Sequence, residues 1–232
     1  MRVTAIRSML VAFVFFSVSC NQGKESNTVG AAGPQDAAST LLAQFPDSID
    51  LLNQTAFNAL QSGDTGKSIQ LLSHSLAVKL DQPEVENELG FLLAAIKSEQ
   101  SLLIATRMTK SEKASTASQG HYIKGLYHAN SGNDKEAIRS FDSSIISNFT
   151  FTNAYIEKAI LLNNAGDFDK AIDALAKAME LDRKNADVYY WLGSCLEGKK
   201  DFIKAAAYYQ EAISLDPQHQ GAIRSLHQLK KQ

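Results

Sequence analysis

The chain has 232 residues, of which 44% are hydrophobic and 21% charged. That apolar share excludes a wholly disordered chain and a polytopic membrane protein. A formal net charge of −2 offers no bulk attraction for nucleic acid, and two cysteines cannot build a disulfide scaffold.

The first predicted element is short and apolar. Arg2 and Arg7 precede the run 9–18, and Ser19 and Cys20 follow it. A basic start, an apolar stretch and a small residue before a break have the pattern of an export signal over 1–19. Ten helical residues reach only about 15 Å, half of a hydrocarbon core, so the run does not span a bilayer. The stretch 16–20 resembles a bacterial lipobox, with Ser17 where that motif usually has Leu. The resemblance implies that Cys20 is lipidated and becomes the mature N-terminus, anchored by several acyl chains at ~0.8 kcal/mol per buried CH₂. Asn21 follows where an Asp would imply inner-membrane retention, so the expectation is the outer membrane, facing the periplasm. Loss of the signal takes the net charge to −4 and leaves Cys195 without a partner for a disulfide. Residues 20–45 are rich in Gly, Ser, Asn and Ala without apolar periodicity, and read as a flexible tether.

Downstream, one register recurs every thirty-four residues. Leu192, Gly193, Asp201, Ala205, Tyr209, Ala212 and Pro217 are matched by Ala159, Asp167, Ala171, Leu175 and Ala178, and before them by Gly125, Asn133, Ala137, Phe141 and Ser144. Gly63, Asp64, Ser68, Leu72 and Ser75 fall in the same frame, and Leu89 and Gly90 begin another copy. This period resembles the tetratricopeptide repeat (TPR) family, in which each repeat is a helix–turn–helix unit. The resemblance implies an all-α fold, a right-handed α–α superhelix of about five repeats. They are expected at 49–82, 83–116, 118–151, 152–185 and 186–219, with a capping helix over 220–230, the whole occupying 49–232. Small residues let the helix backbones approach to ~8–10 Å while large ones fill the gaps. Gly-Asp pairs at 63–64 and 166–167 have the chemistry of a helix end followed by an N-cap. Arg224, His227, Gln228, Lys230 and Lys231 give the last helix the polar face that ends a solenoid. The second repeat departs from the pattern, with Leu102 and Thr109 where small residues belong, Lys97-Ser98 for Gly-Asp, and an extra residue at 116 or 117. A loosely packed joint is expected over 97–118.

Chemical motifs give way to this frame. Residues 61–68 end in Gly-Lys-Ser like a P-loop, but Gln61 replaces the first glycine and a helical pattern precedes it instead of a strand. His121 and His128 lie two turns apart, about 10 Å, too far to share one zinc. Cys195 reads as a buried thiol. No catalytic residue, cofactor or metal is expected.

In the TPR family the first helix of each repeat lines a concave groove. Carried onto this sequence, that implies a partner-binding face of Asn53, Phe57, Asn87, Phe91, Tyr122, Leu126, Ile156, Ile160, Asn163 and Tyr190. The face lacks lysine and arginine, which argues against a clamp for carboxylate tails. It favours an apolar peptide, its backbone bonded by the asparagines. The expected function is a membrane-anchored scaffold of the bacterial cell envelope that binds a protein or peptide partner. That layout is similar to lipoproteins that assist outer-membrane-protein or pilus secretin assembly. The alternative is a solenoid that self-associates into a homo-oligomer through its Tyr-rich last repeat.

Overall fold

The computed structural model describes residues 34–229, and all regular structure among them is helical. The predicted signal, Cys20 and residues 20–33 of the predicted tether lie outside the described residues. The chain divides into two compact units, one ending at Leu80 and the other beginning at Asp81.

The first unit holds α1 (Pro34–Gln44), α2 (Ile49–Gln61) and α3 (Thr65–Val78). Helix α1 lies inside the span read as a tether. Ala38, Leu41 and Leu42 recur at i, i+3 and i+4, the spacing of one helix face, and Ala38 is buried where α1 packs on α2. A composition of small residues conceals this stripe. The P-loop-like stretch 61–68 is the turn between α2 and α3. The Asp64 side chain accepts from the Lys67 backbone N–H at 2.9 Å and caps α3.

The second unit holds α4 (Pro83–Ala95), α5 (Gln100–Met108), α6 (Ala114–Asn130), α7 (Asp134–Ser147), α8 (Thr152–Asn164), α9 (Phe168–Leu181), α10 (Ala186–Gly198), α11 (Phe202–Leu215) and α12 (Gln220–Leu229). Consecutive helices pack against each other, and first helices of neighbouring repeats also touch, α4 on α6 and α8 on α10.

Large side chains seat where the partner helix offers a small one. A Cβ on Gly193 would meet the Tyr209 ring at 2.6 Å, and one on Gly125 would collide with the Phe141 ring. Both rings are fully buried beside Ala205, Ala212 and Ala137. Each such ring removes roughly 150–250 Å² from water.

The segment 97–118 differs from expectation. Helix α5 stops a turn early, and α6 starts four residues before the expected repeat. Inward positions of α5 are Ser101, Ala105 and Met108, each one residue ahead of the family register, so Leu102 and Thr109 never need to be small. Ala105 stands where the other repeats have a large side chain, and α6 approaches closely enough that a Cβ on Gly120 would sit 2.7 Å from the Ala105 carbonyl oxygen. Ala117 and Ser118, expected to be loose, are buried in α6, and the Ser118 hydroxyl meets the Ser144 carbonyl oxygen at 2.9 Å. The boundary between compact units falls at Leu80, one repeat earlier than the expected joint.

Candidate peptide-binding face

In the first unit, α2 carries Asn53, half-buried, and Phe57, 54% exposed. An aromatic ring left so open has a large apolar surface available for contact.

In the second unit the predicted residues separate into two groups. Asn87 and Phe91 on α4, Leu126 on α6, and Ile160 and Asn163 on α8 are half-buried and remain within reach of a partner. Tyr122 is not: its side chain is fully buried, with the rings of Phe151, Phe141 and Phe91 at 5.0, 5.5 and 5.6 Å. Ile156 is buried in the core between α8, α9 and α10. Tyr190 is covered from α12, with the His219 ring at 4.9 Å and the Tyr209 ring at 5.8 Å. The reason is common to the three. The fifth position of each first helix turns toward the adjoining repeat, so a large side chain there joins the packing between repeats. The same cover leaves Tyr190 half-buried, while Tyr209 lies in the core as its register implies.

Polar groups complete the face. The side-chain carbonyl oxygens of Asn87 and Asn163 are buried without a hydrogen-bond partner, while the Asn163 amide donates to Ser194 Oγ at 3.2 Å. An orphaned buried acceptor costs about 1–3 kcal/mol.

Carboxylates also stand on these helices, a feature the repeat pattern does not single out. Glu88 on α4 and Glu157 on α8 occupy the sixth position of their helices, and Asp187 the second position of α10, all half-buried. Burial raises the Glu88 carboxyl above its ordinary range. Burial first, and then the nearby charge of Asp187, raises Glu157 to about 7. Asp187 lies in the first turn of α10, where the helix dipole favours an anion, and its Oδ1 lies 3.0 Å from His219 Nε2. His219 Nδ1 accepts from the Ala222 N–H at 3.0 Å, so the ring donates to Asp187 from Nε2 and also caps α12. Further along α10, Glu197 accepts from the Tyr209 hydroxyl at 2.6 Å. The signal that could have found these groups is the helical spacing itself, since the sixth position adjoins the second and ninth on one face.

Elsewhere, Cys195 is fully buried and its thiol is pushed up to about 11, mainly by burial, which removes it as a nucleophile. Burial, and next the Lys124 charge, lower His121 below its usual range. Among the described residues no group of three His, Cys, Asp or Glu side chains is placed to hold a metal ion.

A family model described as tetratricopeptide repeat matches residues 156–219. The human protein O-mannosyl-transferase TMTC3 is 32% identical over 102 residues, which is 44% of this chain and 11% of that protein. The chain thus spans about a tenth of the length of that curated relative. Among solved structures, a tetratricopeptide repeat protein from Parabacteroides merdae superposes with a TM-score of 0.69 at 19% identity, covering 85% of this chain and 77% of the other. The thermophilic TPR protein TTC0263 of Thermus thermophilus gives 0.66 at 12% identity, over 80% of this chain and all of that one. YrrB, described as a TPR protein with an unusual peptide-binding site, gives 0.52 at 18% identity, over 85% of this chain and all of its own. At these identities the structural likeness speaks to the fold.

Proposed function

This chain is a tetratricopeptide-repeat protein, and on that premise we propose that it serves as a non-catalytic, membrane-anchored scaffold that holds a protein or peptide on the first-helix face of its second unit. The observation that carries the reading is the pairing of half-buried apolar side chains (Phe91, Leu126, Ile160) with the orphaned Asn87 and Asn163 acceptors on one set of helices. An extended chain brings a row of backbone N–H groups and alternating side chains, the complement of such a surface. Anchoring rests on the sequence alone: the 9–18 apolar run, Ser19 and Cys20. With it goes the proposal of an outer-membrane site facing the periplasm, where the partner belongs to the cell envelope. A cofactor, a metal and nucleic acid have no part in this reading.

Two arms test it. A photo-crosslinking side chain at Ile160 should trap a discrete partner in intact cells, whereas the same group at Ile203, 87% exposed on α11, should not. Equal products from both positions would remove the face from the proposal. Cys20→Ala should abolish palmitate labelling and move the protein to the soluble fraction, and a variant still pelleting with membranes would refute the anchor.

A further inference from the structure

The face on the first helices of the second unit is one-sided in charge. At positions 2, 5, 6, 9, 12 and 13 of α4, α6, α8 and α10 stand Glu84, Glu88, Glu157, Asp187 and Glu197, with no lysine or arginine. Among the cations nearby, Lys124 on α6 is half-buried and has no described ion pair, and others are engaged with neighbouring carboxylates. Lys158 extends from the seventh position of α8 to Asp142 of α7 at 2.6 Å, and Lys199 pairs with Asp169. Arg107 is held by Glu86 at 2.9 Å. Arg224, exposed on α12, reaches only the surroundings of Tyr190. None of the described ion pairs involves Glu88, Glu157 or Glu197, and Asp187 has only the His219 ring.

A half-buried carboxylate without a counter-ion is costly, since removing it from water weakens its solvation. A surface polished for an uncharged peptide has no use for several of them. The second, independent observation is the orphaned pair of acceptors on the same helices, the Oδ1 atoms of Asn87 and Asn163. These acceptors and carboxylates put several hydrogen-bond-accepting oxygens on the same helices. The face's apolar members, Phe91, Leu126 and Ile160, alternate with these groups, so a polycation lacking hydrophobic side chains would leave half the surface unused.

We infer that the segment received on this face is a cationic one, a peptide in which lysine or arginine alternates with apolar residues, its charges met by Glu88 at one end and by Glu157 with Asp187 at the other. The inference rests on the binding face proposed above and adds the chemistry of its occupant.

The test uses the full chain in neutral detergent and three fluorescent eleven-residue peptides, alternating Lys/Leu, Ser/Leu and Glu/Leu, read by fluorescence anisotropy. Lys/Leu should bind at least tenfold more tightly than Ser/Leu, and Glu/Leu should be weakest. Raising salt should erode the Lys/Leu advantage only. Glu88→Gln with Glu157→Gln should remove that advantage. Glu211→Gln, an exposed change on α11, should not. Equal binding of Lys/Leu and Ser/Leu would overturn the cationic occupant and leave the face intact, as would tighter binding of Glu/Leu. Lys/Leu binding insensitive to the double variant places the charge elsewhere and overturns the inference. Failure of all three peptides to bind would remove the face itself.

Discussion

Glu157 shows how one side chain of the second unit answers to both folding and binding. Its carboxyl titrates near ~4.3 in an unfolded chain, and in the fold burial, followed by the charge of Asp187, raises it to about 7. The folded state therefore holds the proton more tightly. Stability tied to this group is complete below about pH 4 and is lost as the pH rises through about 7. Asp187 sits in the first turn of α10, 3.0 Å from the His219 ring. A glutamine in place of Glu157 removes the titration and retains the shape. In thermal unfolding, Glu157→Gln should gain on the wild type between pH 5 and pH 8, by about 2–3 kcal/mol at ~1.4 kcal/mol per pKa unit. A Tm difference that stays constant over this range would show that Glu157 is not the titrating group. The same residue marks what was and was not legible in the sequence. The family frame carried Tyr122, Ile156 and Tyr190 onto a binding face, yet which of two adjacent positions faces the neighbouring repeat depends on how helices rotate as they stack, a tertiary property with no local signature. Glu88 and Glu157 hold the same position of their repeats, but only the packing of α4 and α8 against their neighbours shows that burial raises both carboxyls.

Between helices, the turn at position 15 obeys one rule regardless of its residue. Gly63, Gly132 and Gly166 have φ of 84°, 82° and 81°, and Lys97 and Lys200 follow at 61° and 64°. In every case the next residue's N–H returns to a carbonyl five residues back, as from Asp64 to Ala59 at 2.8 Å and from Asp201 to Leu196 at 2.9 Å. That closure requires a left-handed residue, and a side chain with a Cβ adopts it at a cost of roughly 1–2 kcal/mol. Lys200→Gly should thus raise stability by about 1 kcal/mol, less the entropy glycine adds to the unfolded chain. In contrast, Gly120→Ala should destabilise by about 1–3 kcal/mol, because its Cβ meets the backbone of α5 at Ala105 and Thr109. Urea midpoints that moved opposite to these directions would contradict the geometry. Helix starts at Ile49, Pro83, Thr152 and Ala186 coincide with the expected repeat starts, since a thirty-four-residue period leaves them little freedom. The α5–α6 boundary does not, because a one-residue offset in α5 can be absorbed by lengthening α6, and a periodicity cannot tell an offset from a decayed repeat.

At the scale of the whole molecule, a stack of hairpins in the second unit draws its stability from contacts between neighbours. Helix α12, the last described helix, packs on α11. Ala222 is fully buried against Ala205, Tyr209 and Ala212, while Ile223, Arg224, His227 and Gln228 face outward. Its first turn is fastened by His219, which links the Ala222 N–H on one side to Asp187 on the other. Removal of residues 217–232 would bare Tyr209 and Tyr190 and leave Asp187 without its imidazole. Nearest-neighbour coupling then makes a graded prediction. Hydrogen-exchange protection should fall most in α10 and α11, less in α8 and α9, and least in α4 and α5, while the first unit, compact in its own right, keeps its rates. Equal loss across α4 to α11 would mean that the second unit opens as one cooperative block. In that case the charge placed at Glu157 would be felt as strongly at Phe91 as at Tyr190, and binding at one end of the face would have to be treated as coupled to the other.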